Sequence, residues 1–538
     1  MTKIKRLLIC ITVLCTMLIT ACSQGNTTVD ETSSSTEITN ASTEDGTDAP
    51  TDAPTDAPTD APTDAPTDAP TDAPTDAPDV PTQDTPVEDE EQLYQEFFDI
   101  NNKVEIDIDI SEEELIKLQE DYERNDKSSV SRICNVTFKI TTKDGVKEYF
   151  LKEVGIRLKG NTSRTDIYSE ERGIYKLNHL KLDFQETFDD PEQYDEGEYQ
   201  LTSDTEVIKD RTFATLQKLE LKWNMMDDTT YVRENYAYDT YRDFGILAPN
   251  MTLSTITLGG VYEGVFKVYE PVDKTFLKRY LPESAVGGDL YKCGWTMIGA
   301  SFDRECSIGI EDDAKRIFYN YDLKTNKKTS SHESLKELIK YVNSSKISKE
   351  GLKEYVDMEY FIKYLAVAYF VGDPDDMRSN YNNYYIYFMA DTGKMIIIPY
   401  DNDRSYGQTK LWNPSGDGMT AVSPYTDRAV GNGYSDQKNP LIMYTVTERE
   451  GLYLDEYKAA LESVAGSKWL TEEHFKEYYD IVSANYEGCT KPDKEFRNAR
   501  DYIFDFDLTS GGRLSSDRQS ASFGTYIEAK LGYYNRNK

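Results

Sequence analysis

Histidine is nearly missing: His179, His332 and His474 are the only three in 538 residues, and they stand in unrelated contexts. A histidine-rich metal site and a Ser-His-Asp hydrolase are therefore not expected. No Cys-x-x-Cys pair occurs, which removes the usual zinc and dithiol redox motifs. No apolar run reaches the roughly 20 residues that span a bilayer as a helix. Positive charge is scarce too, with 60 Lys and Arg against 97 Asp and Glu and a net charge of −37. An acidic surface of this kind disfavours nucleic acid and anionic lipid as partners.

What is present begins with Lys3, Lys5 and Arg6 ahead of a short apolar run over residues 7–19. Small residues follow, which is the layout of a signal peptide over residues 1–22. Ile19-Thr20-Ala21-Cys22 resembles a bacterial lipobox, so cleavage before Cys22 and a lipid on its sulfur are expected, with ordinary secretion as the alternative. The mature protein is then extracytoplasmic and lipid-anchored to the bacterial membrane. Residues 23–92 are Ser, Thr, Asp, Pro and Glu with almost no large apolar side chains, and Thr-Asp-Ala-Pro repeats eight times over residues 47–78. Such a segment cannot bury enough apolar surface to offset its ordering entropy, so a disordered, extended stalk is expected. Its threonines are candidate glycan sites.

Residues 93–538 carry about −21 of the charge and form the expected folded domain, taken as a monomer. Four cysteines remain there, Cys134, Cys293, Cys306 and Cys489, and Cys293 with Cys306 closes the shortest loop. Residues 103–110 alternate as a strand, and Ser111-Glu-Glu-Glu114 opens a helix as a capping box. Residues 133–141 and 147–158 read as a hairpin around Asp144-Gly145, with a further strand over 177–184. A helix is expected from Lys209 to about Leu219 and another over 232–244, then a hairpin over 252–269 around Gly259-Gly260. An irregular insertion covers residues 295–330. Helices are expected over 334–343, 358–370, 455–466, 471–487 and 494–506. The class is α+β, strands first and helices later.

The most informative stretch joins Gly372-Asp373-Pro374-Asp375-Asp376-Met377-Arg378-Ser379-Asn380 and an aromatic strand to Pro399-Tyr-Asp401-Asn-Asp403-Arg-Ser-Tyr-Gly407. In an extended backbone, residues i and i+2 share a side, which would pair Asp401 with Asp403. Loop, strand, turn, strand and carboxylate pair is the layout in which protein kinases hold a catalytic base and a magnesium ligand.

The chain resembles the CotH-like kinases, atypical relatives of protein kinases. The resemblance rests on Gly155-Ile-Arg157-Leu-Lys159-Gly160-Asn161-Thr-Ser163, Lys181-Leu-Asp-Phe184, Asp210-Arg211, Tyr262-Glu-Gly264 through Glu270, Leu290-Tyr-Lys292, Asn383-Tyr-Tyr-Ile-Tyr387 and the Pro399–Gly407 block. It implies a bilobal fold, β-rich N-terminal lobe and helix-rich C-terminal lobe, that moves the γ-phosphoryl of ATP to a protein Ser or Thr with Mg²⁺ or Mn²⁺. It assigns metal to Asp401, Asp403 and Asn383. Asp376 is the candidate base, with Asp375 and Asp373 competing. Arg157, Lys159 and Lys181 would face the phosphates, and Glu270 would lie near the nucleotide or orient a lysine such as Lys292.

Two other readings keep the same residues. One is a noncatalytic, kinase-like surface module that binds protein or polysaccharide, because little ATP is found outside a cell. The other is a calcium-binding adhesin, in which Asp401 and Asp403 hold Ca²⁺.

Overall fold

The computed structural model divides the chain into Met1–Ala77 and Pro78–Lys538. It describes residues 83–538 except 162, 170–173, 227, 410–418, 428–436, 491, 494–499, 502–503, 505 and 507–519. The expected leader, Cys22 and the Thr-Asp-Ala-Pro repeat lie outside the described residues. Among the described residues no helix is long and apolar enough to cross a membrane.

Packed structure starts ahead of residue 93. The Thr85 amide donates to Phe150 O at 2.8 Å, and Arg211 pairs with Asp84 at 3.2 Å. Helix α1 (Glu90–Phe98) follows, capped by Asp89 and burying Leu93, Tyr94 and Phe97. The Phe97 ring meets Phe213 edge-on, and Phe213 stacks on Phe138 with centroids 3.9 Å apart.

Seven strands then close into a barrel. They are β1 (Lys103–Asp109), β2 (Arg132–Thr142), β3 (Gly145–Lys159), β4 (His179–Asp183), β5 (Lys218–Trp223), β6 (Met251–Leu258) and β7 (Val261–Tyr269), in the order β1-β2-β3-β4-β5-β7-β6. Neighbours run antiparallel except β1 and β6, whose parallel pairing, Ile106 opposite Ile256, closes the ring. Alternation fixes the register: Val104, Ile106 and Ile108 are buried while Lys103, Glu105 and Asp107 are not. Helix α2 (Glu112–Arg124) forms as the capping box predicts, with Ser111 Oγ accepting from the Glu114 amide.

A second sheet of five strands contains β8 (Leu290–Cys293), β9 (Ile308–Gly309), β10 (Tyr321–Leu323), β11 (Tyr384–Phe388) and β12 (Met395–Pro399), ordered β9-β10-β8-β11-β12. Both β11 and β12 are buried on both faces, as their unbroken apolar runs require. The longer helices after α2 are α3 (Arg233–Asp243), α4 (Met358–Val371), α5 (Leu454–Ala465), α6 (Glu472–Tyr486) and α7 (Phe523–Asn537), with shorter helices such as Lys274–Tyr280, Glu333–Val342 and Pro440–Val446 between them. Helix α4 is apolar and buried along most of its surface, with Glu359 and Lys363 paired on its exposed side, and it ends at Gly372, whose φ of +63° suits glycine.

Three expectations need correction. The helix expected from Lys209 to Leu219 is a short helix, Thr205–Asp210, followed by strand β5. The alternation Lys218-Leu-Glu-Leu-Lys-Trp223 outweighs helix propensity there because β4 and β7 flank it. The helix expected over 494–506 falls mostly outside the described residues, and Arg500–Asp501 pairs as a strand with Pro492–Asp493. All four cysteines are free thiols, and Cys306 Sγ lies near Gly299 O at 3.6 Å instead of bridging to Cys293.

Candidate active site

Strands β3, β4, β5 and β7 put one set of side chains on one face of the barrel. The registers Arg157↔Lys181, Lys159↔His179, Lys181↔Glu220, Lys222↔Lys267 and Glu220↔Tyr269 make these residues neighbours. Lys159 Nζ is 2.6 Å from Glu220 and donates to Tyr400 Oη at 2.7 Å. Lys181 reaches the other Glu220 oxygen at 3.4 Å. Lys292, on β8, sits 5.0 Å from the centre of the Tyr400 ring. Lys222 lies over the Tyr269 ring and contacts Asp401 Oδ1 at 2.5 Å. Glu234, fully buried on α3, gathers Lys267, Tyr238 and Tyr269, and Tyr238 Oη in turn accepts from the Asp401 amide at 2.9 Å.

Opposite this face stand two acidic loops. The β11–β12 hairpin pairs Tyr384 with Pro399, so its register brings Asn383 and Asp401 to the same end. Both residues have left-handed backbones, with φ of +50° and +59°, as do Tyr381 and Tyr406 nearby. Non-glycine residues in that region cluster at functional sites. The expected extended Asp401–Asp403 run is therefore a turn, and the turn rather than strand alternation brings the two carboxylates together. Asp373 ties the loops to each other, accepting from the Arg404 amide at 3.1 Å and Ser405 Oγ at 3.4 Å. Asp375 accepts from Asn380 at 2.6 Å and from Asn382 and Asn383, each at 3.1 Å. Asp376 is buried and turned into its own loop, capping the Arg378 and Ser379 amides at 2.9 and 2.7 Å.

The charges are unevenly balanced. Burial opposes ionisation of Asp401, yet Lys222, Lys159 and Lys292 hold its carboxyl well below the usual range. Burial and then the Asp401 charge push Asp403 up to about 7. Burial lifts Asp376 to about 6, and burial together with Asp376 and Asp403 raises Asp373. On the barrel face, burial lowers Lys159 to about 8 against the pull of Glu220, and burial with Lys222 and Lys159 lowers His179 to about 3. His179 is thus a neutral imidazole at physiological pH.

Burial keeps Asp373, Asp376 and Asp403 from ionising readily, although Arg404 Nε lies 3.8 Å from Asp403. Asp376 Oδ2 and Asn402 Oδ1 are buried and find no hydrogen-bond partner among the described residues. The donors are all oxygen, which suits Mg²⁺ or Mn²⁺. Among the described residues no three His, Cys, Asp or Glu converge into a metal cage. Magnesium takes one or two carboxylates and completes its shell with phosphate and water. Asp401 and Asp403 are the residues that would hold such an ion.

The family model described as CotH kinase protein matches residues 158–509. The chain belongs to this family. A second model, described as PT disordered repeat, matches residues 42–80. Inner spore coat protein H of Bacillus subtilis (strain 168) is 23% identical over 258 residues, which are 47% of this chain and 62% of that protein. This CotH family chain therefore spans less than two thirds of that relative's length. The crystal structure of the Helicobacter pylori proinflammatory kinase CtkA aligns with 50% of the chain and 86% of its own, at 11% identity and a TM-score of 0.21.

Of the residues expected at a CotH-like site, Arg157, Lys159, Lys181, Asp375, Asn383, Asp401 and Asp403 are brought together on the barrel face and the two loops, and Lys292 joins them from β8 of the second sheet. Glu270 is not. Tyr269 shares the Glu220 face, so alternation turns Glu270 to the other side. There it pairs with Arg279 and accepts from Tyr94 at 2.9 Å and Tyr280 at 3.2 Å. Lys222, Glu220, Glu234, Lys267 and His179 escaped the sequence reading. For Glu220 and Lys222 the clue was the alternation of β5.

Proposed function

We propose that the chain is an extracytoplasmic CotH kinase, anchored through a lipid on Cys22, that transfers the γ-phosphoryl of ATP to a Ser or Thr hydroxyl of a protein. The observation that carries this reading is the convergence of the cationic barrel face with the Asp401–Asp403 turn and the Asp375 amide cluster. Phosphoryl transfer asks for cations on the phosphates, in-line positioning and a carboxylate near the accepting hydroxyl. Lys159, Lys181, Lys292 and Arg157 are the phosphate ligands in this reading. Lys222 positions Asp401, and Asp401 with Asp403 holds the Mg²⁺ that neutralises developing charge.

Asp375 is the base. Its carboxylate is half-buried, with three amide side chains orienting it and Arg404 in its field. The Asp375–Asn380 spacing also reproduces the base-to-asparagine offset of protein kinases. Asp376 organises the loop. Incubation of the full chain with γ-labelled ATP and Mg²⁺ or Mn²⁺, beside Asp401→Ala, tests the reading. Label in the wild type that is absent from the variant supports it, and no label without nucleotide-induced stabilisation overturns it.

The noncatalytic reading has one observation in its favour. Glu220 already pairs with both Lys159 and Lys181, and Lys222 already pairs with Asp401. A site so paired is stable without nucleotide. Failure of ATP to compete with those contacts would decide for a binding module.

A further inference from the structure

Helix α7 lies beyond the family-matched residues 158–509, yet it is wedged between the two acidic loops. Gly372 ends α4 just before Asp373, and Gly407 closes the Asp401–Tyr406 turn. Both have left-handed backbones, with φ of +63° and +82°. Both also abut a single side chain, Tyr526. A Cβ on Gly372 would fall 1.7 Å from Tyr526 Oη, and a Cβ on Gly407 would fall 2.7 Å from Tyr526 Cβ. Tyr526 is fully buried and donates to Phe370 O at 3.1 Å. Two further contacts join the start of the helix to the turn, and one joins the turn to the end of α4. The Ala521 amide donates to Gly407 O at 2.8 Å, the Tyr406 amide donates to Val371 O at 2.8 Å, and Phe523 packs on Tyr406 with ring centroids 5.2 Å apart.

We infer that Tyr526 is a positioning residue for phosphoryl transfer, setting the distance between the Asp375 loop and the metal-binding turn from outside the family's matched segment. The inference rests on the proposed kinase reading. A rigid ring between two glycines leaves neither loop room to drift. Small displacements matter in such a site, since a shift of about 1 Å can cost on the order of a hundredfold in rate. The two glycines are the complement of the ring, because any side chain at either position meets Tyr526.

The test is a double-mutant cycle in the full chain with Gly372→Ala, Tyr526→Phe and both together. Removing the hydroxyl clears the atom closest to the new methyl group. The double variant is therefore expected to recover part of the transfer rate that Gly372→Ala loses. Tyr526→Phe alone is expected to lower kcat on the order of tenfold with KM for ATP nearly unchanged, because the barrel cations are untouched. Hydrogen exchange reads the same geometry without activity. Faster exchange of the Arg404, Arg378 and Ser379 amides in Tyr526→Phe, with the barrel strands still protected, supports the inference even if no kinase activity is found. Equal cost of Gly372→Ala in both backgrounds, or loop exchange unchanged by Tyr526→Phe, overturns it. Absence of nucleotide binding in the wild type overturns the kinase reading separately.

Discussion

Lys222 and Asp401 meet at 2.5 Å although 179 residues separate them in the sequence. One belongs to a barrel strand and the other to the turn after the second sheet, so this contact joins the cationic face to the Asp401–Asp403 turn. Its Lys222 side chain is 6% exposed and its Asp401 side chain 32%. An ion pair in that setting does more for orientation than for stability.

Replacing Lys222 by Met should therefore separate two effects. Loss of a partner for a half-buried carboxylate costs about 2 kcal/mol, visible as a lower melting temperature. Transfer should fall by on the order of a hundredfold or more, because Asp401 loses the group that holds it in place. Asp401→Ala should keep the fold and abolish Mg-nucleotide binding in calorimetry. Full affinity in that variant would remove Asp401 from the metal site.

The two neighbouring loop acids should behave differently. Asp375→Asn is expected to keep nucleotide affinity and lose transfer, with kcat down on the order of a hundredfold or more. Asp376→Ala uncaps two buried amides and should destabilise the protein by about 1–3 kcal/mol. Stopped transfer in a stable Asp376→Asn variant, with Asp375→Asn active, would reverse the assignment.

Metal binding should depend on pH in a definite direction. Asp403 is pushed up to about 7 and Asp376 to about 6, from an ordinary 3.8. Raised carboxyl values mean that the folded protein holds these protons more tightly than the unfolded chain. Their stabilising contribution is complete below the ordinary value and is lost as pH rises through 6 and 7. A divalent cation takes the place of the Asp403 proton, so its affinity rises across the same window. Thermal shifts with Mg²⁺ should be small near pH 5 and grow to about pH 8. A flat profile would argue that Asp403 stays ionised.

Glu220→Gln should loosen the barrel face without touching the loops. Lys159 and Lys181 lose their shared counter-charge, and because both pairs are mostly buried the cost is about 3 kcal/mol. The freed ammonium groups should bind nucleotide or pyrophosphate more tightly, as calorimetry would register. Glu270→Gln serves as the contrast, since it disturbs the Arg279 cluster and should leave nucleotide affinity unchanged.

Much of this was legible in the sequence, and what was not has identifiable causes. Strand β1, helix α2 and both hairpins carry strong local patterns and turn residues, so their limits lay close to those observed. The acidic loops were legible because unusual residue types were concentrated in a short span. Barrel closure was not, since the β1–β6 pairing joins strands about 150 residues apart and leaves no local trace. Lys222 was missed because the expected helix stops at about Leu219 and the next expected element begins at 232, which leaves Glu220 and Lys222 without a face. Glu270 was placed by the resemblance alone, whereas strand alternation from Tyr269, opposite Glu220, turns it to the other side. The Asp401–Asp403 pairing was right in composition and wrong in cause, because a left-handed turn is invisible to periodicity.

The family-matched segment opens at residue 158, near the end of β3. The ring, however, needs β1, β2 and nearly all of β3 to close. A recombinant fragment cut at that boundary would leave β6 over 254–258 and β4 over 181–183 without the strands they pair with. Open edges of that kind recruit other chains. Insolubility of such a fragment would then reflect a missing wall of the barrel rather than any property of the intact protein.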